Sequence, residues 1–432
     1  MLDIQFIRDN PELVKEKTKQ KGYEADIDRL LKVDEDRRRL LGEVEQIRAE
    51  RNALADQLKR GKPSSEQIEQ GKELKAKLAE LEQQLEPVEA EFSKLLKVVP
   101  NMPLDYVPVG ASEDDNQVTK TVGEKPQFDF TPRHDYELGA ERDLIDKERA
   151  AKIAGSRFVY LKGGLVRLQL ALMQFVMQTL CDEQVIARLV QENGLNVSTK
   201  PFTPVLPPAM LRTEPYEASA RLNAEEVTYK IERDDLWLNA SAEHTLCTMY
   251  WNEILPEDMF PIRYLGYSTS FRREAGSYGK DEEGIFRLHQ FDKLEMESIT
   301  TPETGLDEHK LHIAIQEYLL QQIGLSYQFV QKCTADIGKP NAAGVDLNTW
   351  FPAQGRYRET HTADYMTDYQ TRALKIRVRR QDGKVELAHT ADATAFAMSR
   401  ILKAIMENNQ TADGRIVVPE VLRPFMSGQA EI

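Results

Sequence analysis

The chain has 432 residues, of which 41% are hydrophobic and 30% are charged, and its formal net charge is −14. This length exceeds one small domain, so we expect two domains joined by a linker. The acidic balance argues against a general nucleic-acid binder, because neutralising phosphates requires clustered Lys and Arg. It does not exclude RNA, since binding depends on where the basic residues lie.

Cysteine usage and hydropathy indicate a soluble cytoplasmic protein. Cys181, Cys247 and Cys333 lie far apart and offer neither metal-ligand spacing nor an even set for disulfides, which suits a reduced compartment. The first ten residues carry acids and no apolar run, so they do not form a signal peptide. The most apolar helical stretch, 165–180, is interrupted by Arg167 and several glutamines and is too short to cross a bilayer. We therefore expect no membrane partner.

The sequence pattern of the N-terminal quarter predicts helices. Residues 1–22 should contain a short helix with Asn10 as its N-cap and Pro11 at its first position. Beyond it, apolar residues recur at helical spacing in two stripes separated by Gly61, Lys62 and Pro63: Leu40, Val44, Ile47, Leu54 and Leu58, then Leu74, Leu78, Leu81, Leu85, Val88, Phe92 and Leu95. This pattern predicts an antiparallel helical hairpin over about 27–97. With roughly 30 residues in each helix, the arm would be about 45 Å long.

The arm by itself fits two functions. It could be a dimerisation coiled coil, or its many Lys and Arg residues could bind RNA, but interleaved acids make solvated faces an equally simple explanation. After the arm, the Pro-, Gly- and acid-rich segment to about residue 133 is typical of a linker. We thus predict an N-terminal domain at 1–103, a linker at 104–133 and a larger domain at 134–432.

The larger domain should be α+β, with a mainly antiparallel sheet flanked by helices. Its predicted strands are 236–241, 262–274, 284–297, 345–350, 356–362 and 385–392, and a helix is predicted at 396–407.

The segment 271–295 has the most informative pattern. Period-2 alternation places Arg272 and Glu274 on one face of a first strand. On the second strand, one face would carry Arg287, His289, Phe291, Lys293 and Glu295. A glycine-rich, charged loop would join the two strands. Arginines bind phosphate, an aromatic ring stacks on a base and a carboxylate holds an ammonium, so the pattern favours a nucleotide and amine site over an exposed salt-bridged hairpin.

This segment, FRREAGSYGKDEEGIFRLHQFDKLE, closely resembles motif 2 of class II aminoacyl-tRNA synthetases in its seryl form. The resemblance extends along essentially the whole chain: PVLPPAM is similar to motif 1, whose proline is Pro208 here, and PEVLRPFM to the C-terminal signature. It implies a class II catalytic domain, activation of serine with ATP and Mg²⁺, and transfer to tRNA. It also implies a homodimer in which the arm of one subunit reaches tRNA bound to the other.

The resemblance implies a role for each matching residue. Arg272 would hold the ATP α-phosphate, Glu274 the adenine amino group, Phe291 the adenine ring and Arg287 a phosphate. Serine would be bound by Ser241, Glu243, Arg272, Glu295 and Thr394. Magnesium would be held by Glu359 and Thr362, and the γ-phosphate by Arg400. Adenylation needs charge stabilisation and no protein nucleophile, which agrees with the absence of an evident Ser-His-Asp or Cys-His arrangement in the sequence.

The motif 3 region departs from the family pattern. HTADATAFAMSR stands where HTLNGSGLA-x-GR is usual, so Asp392 replaces Asn, Thr394 replaces Ser, and Ala395 and Ser399 stand at glycines. Thr394 retains a hydroxyl, whereas Asp392 brings a negative charge that could contact the serine hydroxyl or lie behind the pocket. Two alternatives to a serine–tRNA ligase are a ligase loading a non-tRNA acceptor and an inactive tRNA-binding paralogue. The intact arm argues against the former, and the complete set of ATP residues against the latter.

Overall fold

The computed structural model describes residues 1–59, 64–222, 227–274 and 284–432. The chain forms two compact units, Met1–Met102 and Pro103–Ile432, and each is described by itself. The predicted turn at Gly61, Lys62 and Pro63 and most of the glycine-rich loop of the 271–295 segment lie outside the described residues.

The first unit is helical. It contains α1 (Ile4–Asp9), α2 (Pro11–Gln20), α3 (Ile27–Leu58) and α4 (Ser65–Val98). Asn10 is the N-cap residue of α2 and Pro11 its first residue, as predicted, although the Asn10 side chain does not cap the helix. The Asn10 side chain instead donates to the Phe6 carbonyl at 3.1 Å, because α1 ends directly before it. Ser64 and Gln67 form a reciprocal capping box that begins α4.

The helices α3 and α4 form the predicted antiparallel arm. Their leucines and β-branched residues pack into one continuous apolar seam: Leu40, Val44, Ile47, Leu54, Leu74, Leu78, Leu81 and Leu85. Ion pairs flank the seam and fix the register, with Arg29 bound to Glu91 at 2.6 Å and Arg48 to Glu82 at 2.7 Å. At about 1.5 Å per residue, the 32 residues of α3 give an arm near 48 Å in length.

The second unit is built on a large antiparallel sheet. In chain order its strands are β1 (Gln117–Val122), β2 (Ile145–Asp146), β3 (Tyr160–Leu161), β4 (Thr203–Val205), β5 (Met210–Leu211), β6 (Lys230–Ile231), β7 (Leu236–Leu238), β8 (Ile254–Pro256), β9 (Ile262–Phe271), β10 (Gln290–Thr300), β11 (Tyr327–Gln331), β12 (Ala343–Phe351), β13 (Arg356–Thr367), β14 (Arg377–Arg379), β15 (Val385–Leu387) and β16 (His389–Ala397). Eight of these form the main sheet in the order β1-β11-β12-β13-β16-β10-β9-β4. Within that sheet, β4 runs parallel to β9, and the other pairs are antiparallel.

Helices cover one face of this sheet. Within the described ranges of this unit, the α-helices are α5 (Asp135–Glu141), α6 (Lys147–Ala154), α7 (Gly164–Leu180), α8 (Glu183–Glu192), α9 (Thr213–Ala218), α10 (Glu243–Leu246), α11 (Gly305–Gln322), α12 (Tyr369–Leu374) and α13 (Met398–Asn408). Leu294, Met296, Ala393 and Ala395 point from β10 and β16 into the same core as α7, α11 and α13. The intervening residues of those strands therefore face the other side. The α+β fold class predicted from sequence is confirmed.

Several predicted boundaries differ from the structure. The segment predicted as a linker contains β1, which pairs with β11 at the edge of the main sheet. The second strand of the 271–295 segment begins at Gln290, not at 284, so Arg287 and His289 precede it. The 385–392 segment is divided into β15 and β16, and the following helix begins at Met398.

Among the described residues, no single helix has both the length and the apolar character needed to cross a membrane. Helices α7 and α8 meet the criteria only as a pair, and a 71° bend separates them.

Candidate active site

Charged and polar residues line the sheet face opposite the helical core. In β10 the polar positions are Lys293, Glu295 and Glu297, which alternate with Leu294 and Met296. All five are buried, so solvent has little access to this face. Such a concentration of buried charge is costly unless the groups are paired or bind a ligand. The pattern indicates a binding site.

A cavity of about 750 Å³ opens over this face. An adjoining cavity of about 80 Å³ shares much of its lining, including Arg272, Arg287 and Arg400. Between them the two cavities are lined by nine of the eleven residues predicted for the site: Glu243, Arg272, Glu274, Arg287, Phe291, Glu359, Thr362, Thr394 and Arg400. The two others, Ser241 and Glu295, are fully buried and bound to the lining residue Lys293.

The arginine-bearing side of the site is held in place by contacts with neighbouring residues. The Arg272 Nε donates to the Ala240 carbonyl at 3.2 Å, and its guanidinium lies 5.3 Å from the centre of the Phe291 ring. Glu274 follows the end of β9 with a positive φ of 48° and accepts from Arg287 at 3.1 Å. The structure thus brings together the arginines, the carboxylate and the ring that the sequence pattern predicts.

Arg400 lies in the first turn of α13, beside the sheet. Its Nη1 donates to the carboxylate of Glu359 at 2.7 Å and to the carbonyl oxygen of the same residue at 3.1 Å. Its guanidinium also lies 4.9 Å from the centre of the Phe286 ring, which Arg358 approaches to 3.8 Å. A cation at a helix N-terminus opposes the helix dipole, so its position here is more easily explained by an anionic ligand than by helix stability.

Acidic groups form the other side of the site. Ser241 Oγ donates to Glu243 at 3.2 Å and lies 3.4 Å from Glu295. Lys293 Nζ donates to Ser241 Oγ at 3.1 Å and contacts the carboxyl group of Glu295. Oxygen atoms of Glu243, Glu295 and Asp392 lie within 4.8 Å of one another, an arrangement suited to a cationic group.

Burial and charge give the two central glutamates different protonation. Burial raises the pKa of Glu295 to about 8, although Lys293 opposes that change. Burial alone would also raise the pKa of Glu243, but Arg221, Lys293 and His244 together hold it well below its usual value. Near pH 7 without ligand, Glu243 is therefore ionised and Glu295 mostly carries a proton.

A lysine occupies the region of the predicted magnesium ligands. Lys332 Nζ donates to Thr362 Oγ1 at 2.8 Å and lies 2.7 Å from Asp364 and 3.3 Å from Asp346. A Cβ atom at Gly344 would overlap with Lys332 Cε and Asp364 Oδ1, so a side chain there would displace this pair. Burial raises the pKa of Asp346 to about 7 against the opposing charge of Lys332.

An unpaired oxygen atom lies near this group. Asn348 lines the large cavity, and its buried Oδ1 accepts no hydrogen bond from any residue that the structure describes, whereas Asp346 Oδ1 is paired with Lys332. Asn348 lies directly across from Glu359 in the β12–β13 register. The atoms that Glu359, Thr362 and Asn348 could offer to a metal ion are oxygens, the ligand type that Mg²⁺ prefers.

Residue-pattern reasoning missed several members of the site. The period-2 alternation of the second strand places Lys293 on the same face as Glu295. That alternation is the signal that could have identified Lys293 as a site residue. Arg221, Lys332, Asp346 and Asp364 belong to no short motif, and they reach the cavity only through the tertiary fold. Asp392 is fixed by the side chain of Arg221, whereas we expected it to contact either the ligand or a neighbouring backbone group.

Comparison with known proteins agrees with this geometry. Residues 1–103 match the family model described as Seryl-tRNA synthetase N-terminal domain, and residues 228–409 match the tRNA synthetase class II core domain (G, H, P, S and T). A serine–tRNA ligase of Exiguobacterium sp. is 38% identical over 100% of this chain and 99% of its own length. The chain belongs to the seryl-tRNA synthetase family.

Other members of the seryl-tRNA synthetase family are similar over the same extent. The serine–tRNA ligase of Nitrosopumilus maritimus is 35% identical over 100% of both chains. The crystal structure of seryl-tRNA synthetase from Pyrococcus horikoshii complexed with ATP aligns with a TM-score of 0.86 and 36% identity, covering 100% of this chain and 99% of that one. The family assignment made from motif 2 is confirmed.

Proposed function

We propose that this chain is a serine–tRNA ligase that forms seryl-adenylate from serine and ATP and transfers the seryl group to tRNA. The observation that carries the proposal is one cavity whose lining includes Arg272, Arg287 and Arg400 next to a buried pair of glutamates. Arginines suit the phosphates of ATP, and the glutamates suit the ammonium of an amino acid. Full-length similarity to serine–tRNA ligases supports the same function.

In the first step the serine carboxylate attacks the α-phosphorus of ATP and pyrophosphate leaves. Arg272 stabilises the charge that grows on the α-phosphoryl oxygens, while Arg287 and Arg400 hold the departing phosphates. Fixed cations in a water-poor site supply this stabilisation without having to reorganise during the reaction. Phe291 stacks on adenine, and Glu274 accepts a hydrogen bond from its amino group. In the second step a hydroxyl at the 3′ end of tRNA attacks the seryl carbonyl, and AMP leaves.

Serine is selected by charge and by hydrogen bonding. Glu243 and Glu295 hold the ammonium, so Glu295 must release its proton when serine binds. Ser241 and Thr394 offer hydroxyl partners for the serine side chain, and the methyl group of Thr394 limits the space available for threonine. A pocket that hydrogen-bonds a hydroxyl rejects alanine, because its own polar groups would be left unpaired.

The residues present fit Mg²⁺, which Glu359 and Thr362 would hold between ATP phosphates. The buried, unpaired oxygen of Asn348 across the strand pair supports this assignment. When bound, the ion supplies charge neutralisation for the pyrophosphate. Arg400, now paired with Glu359, would then turn its remaining donors to the γ-phosphate.

The arm is proposed to bind tRNA across a homodimer. On α3 and α4, the basic residues Arg38, Arg51, Lys75 and Lys77 are exposed, and within the described residues none of them forms an ion pair. These cations remain available for phosphates. Light scattering at micromolar concentration should give the mass of a dimer, and a monomer would contradict this part.

The decisive experiment is ATP–pyrophosphate exchange with each of the twenty amino acids, followed by tRNA charging. We expect serine to stimulate exchange most. Exchange stimulated best by threonine, glycine or alanine would overturn the assignment of serine and leave only the fold. Exchange without charging of tRNA would point instead to another acceptor.

A further inference from the structure

A buried arginine reaches the amino-acid side of the site from outside the family motifs. Arg221 follows helix α9 and lines the large cavity, with 13% of its side chain exposed. The residue before it, Ala220, has a positive φ of 58°. A left-handed alanine is uncommon and is retained where the surrounding structure requires it. This turn directs the chain so that Arg221 enters the cavity.

The backbone at this turn is tied to the strand that carries Asp392. The Arg221 amide donates to Ser219 Oγ at 3.3 Å, and the Ser219 carbonyl accepts from Gln370 at 2.9 Å. Gln370 in turn accepts from Thr390 at 2.7 Å, two residues before Asp392 on β16. Arg221 and Asp392 are therefore held in a fixed relation by bonds independent of their side chains.

The Arg221 side chain joins two carboxylates. Its Nη2 donates to Asp392 Oδ2, and its Nε lies 3.4 Å from Glu243 Oε1. Asp392 is only 1% exposed and does not line either cavity described above, whereas Glu243 lines the large one. The guanidinium thus stands between a buried carboxylate and the carboxylate that faces the ligand.

The register of the sheet shows why a cation is needed here. Asp392 lies directly across from Glu297 on β10 and from Asp364 on β13, so three acids cross adjacent strands in one row. Like charges in directly opposed positions destabilise a sheet. Both oxygens of Glu297 and one oxygen of Asp392 are buried without a hydrogen-bond partner. The charge of Arg221 compensates Asp392 in this row and lies beside Glu243, while Lys332 lies 2.7 Å from Asp364.

We propose that Arg221 and Asp392 act as one positioning unit that holds Glu243 for the ammonium of the amino acid. The inference rests on the proposed function and adds residues to its amino-acid site. Asp392 replaces the asparagine that is usual at this position in the family, and Arg221 supplies the matching positive charge. The unit affects the binding of serine and leaves the ATP residues untouched, because neither member contacts Arg272, Arg287 or Arg400 by a hydrogen bond described here.

The test is a double-mutant cycle in ATP–pyrophosphate exchange, with serine and ATP varied separately. Arg221→Gln removes the guanidinium that positions Glu243. Asp392→Asn lets the guanidinium of Arg221 move onto Glu243 and compete with the ammonium. Each change should raise the KM for serine at least tenfold and the KM for ATP less than twofold. In R221Q/D392N the uncharged amides can bond to each other, so its KM for serine should be at least fivefold lower than the product of the single effects predicts.

Two further variants separate positioning from folding. Arg221→Lys keeps the charge but has one nitrogen in place of the planar fork whose separate nitrogens reach the two carboxylates, so it should fold like the wild type and still show a raised KM for serine. The exposed Arg212→Gln, at the start of α9, is the matched control and should match the wild type in both KM values. Circular dichroism melting of every variant monitors folding.

Three results would overturn the inference. They are equal increases in the KM for serine and for ATP, independent effects of the two single changes, or a wild-type KM for serine in Arg221→Lys. A wild-type protein that shows no serine-dependent exchange would refute the proposed function instead. The two failures are therefore distinguishable.

Discussion

Replacing Glu295 by Gln should remove a defined part of the pH dependence of stability. The ordinary pKa of this carboxyl is 4.5, and burial raises it to about 8 in the folded protein. Between these values the folded protein without ligand holds a proton that the unfolded chain has lost. The contribution of Glu295 to stability is therefore fully present below pH 4.5 and is lost as pH rises through 8.

The size of the effect follows from the shift. Within the window, stability falls by about 1.4 kcal/mol per pH unit, or about 5 kcal/mol in total at most. A unit of roughly 300 residues unfolds with an entropy near 0.6 kcal/mol per kelvin, so this slope corresponds to about 2 °C in Tm per pH unit. A glutamine cannot lose a proton in this range. Relative to the wild type, Glu295→Gln should thus gain about 4 °C between pH 5.5 and pH 7.5.

The assay is thermal unfolding at pH 5.5, 6.5 and 7.5 in the absence of serine and ATP. Substituting the exposed Glu420 by Gln is the control and should leave the pH dependence as in the wild type. Parallel pH profiles for the wild type and Glu295→Gln would refute the protonation state assigned to this site. In the same framework, the KM for serine of the wild type should fall as pH rises from 6.5 to 8, since the proton on Glu295 must leave before the ammonium binds.

Four further predictions concern the reaction. Arg272→Ala should reduce serine-dependent pyrophosphate exchange by about a hundredfold or more, since one charge-assisted contact in the transition state is worth about 3 kcal/mol, and near-normal exchange would contradict its role. Deleting about residues 30–95 should abolish tRNA charging but leave pyrophosphate exchange largely intact; loss of both activities in a folded protein would argue against a separate role for the arm. Thr394→Val should lower kcat/KM for serine by about tenfold and for alanine much less, so an unchanged ratio of the two would exclude hydroxyl recognition by Thr394. Removing Mg²⁺ with EDTA should stop exchange and added Mg²⁺ should restore it, while Glu359→Gln should raise the Mg²⁺ concentration needed for half-maximal rate.

The spacing of apolar and polar residues along the sequence predicted those parts of this protein in which helix or strand periodicity determines the structure. The apolar stripes of the arm predicted α3 and α4 because a two-helix seam has a strong period and few alternatives. Alternation in 287–295 predicted the face that carries Lys293 and Glu295, since a strand has only two faces. The start of that strand was placed too early, because Arg287 and His289 continue the alternation although they precede the first ladder pair.

The missed site residues depend on tertiary pairing. Arg221 reaches Asp392 across 171 positions of sequence, and Lys332 reaches Thr362 across 30. Neither pair has a spacing that a helix or strand period would reveal. The strand β1 was missed for the same reason. Its six residues are mostly exposed, so their composition does not predict a strand, and they form one by pairing with β11.

The alternation of β10 and β16 also limits how the pocket can evolve. On β10, Leu294 and Met296 face the core, whereas Lys293, Glu295 and Glu297 face the other side; on β16, a bulge at Ala395 lets both Ala395 and Phe396 reach the core. Away from that bulge, losing or gaining one residue within a strand would turn Leu294 or Ala393 toward the ligand and the carboxylates toward the helices. Changes of amino-acid recognition must therefore come from exchanging side chains at fixed positions, as at Asp392 and Thr394. Changes in chain length are confined to the connections between strands, where they alter access to the pocket without altering its chemistry.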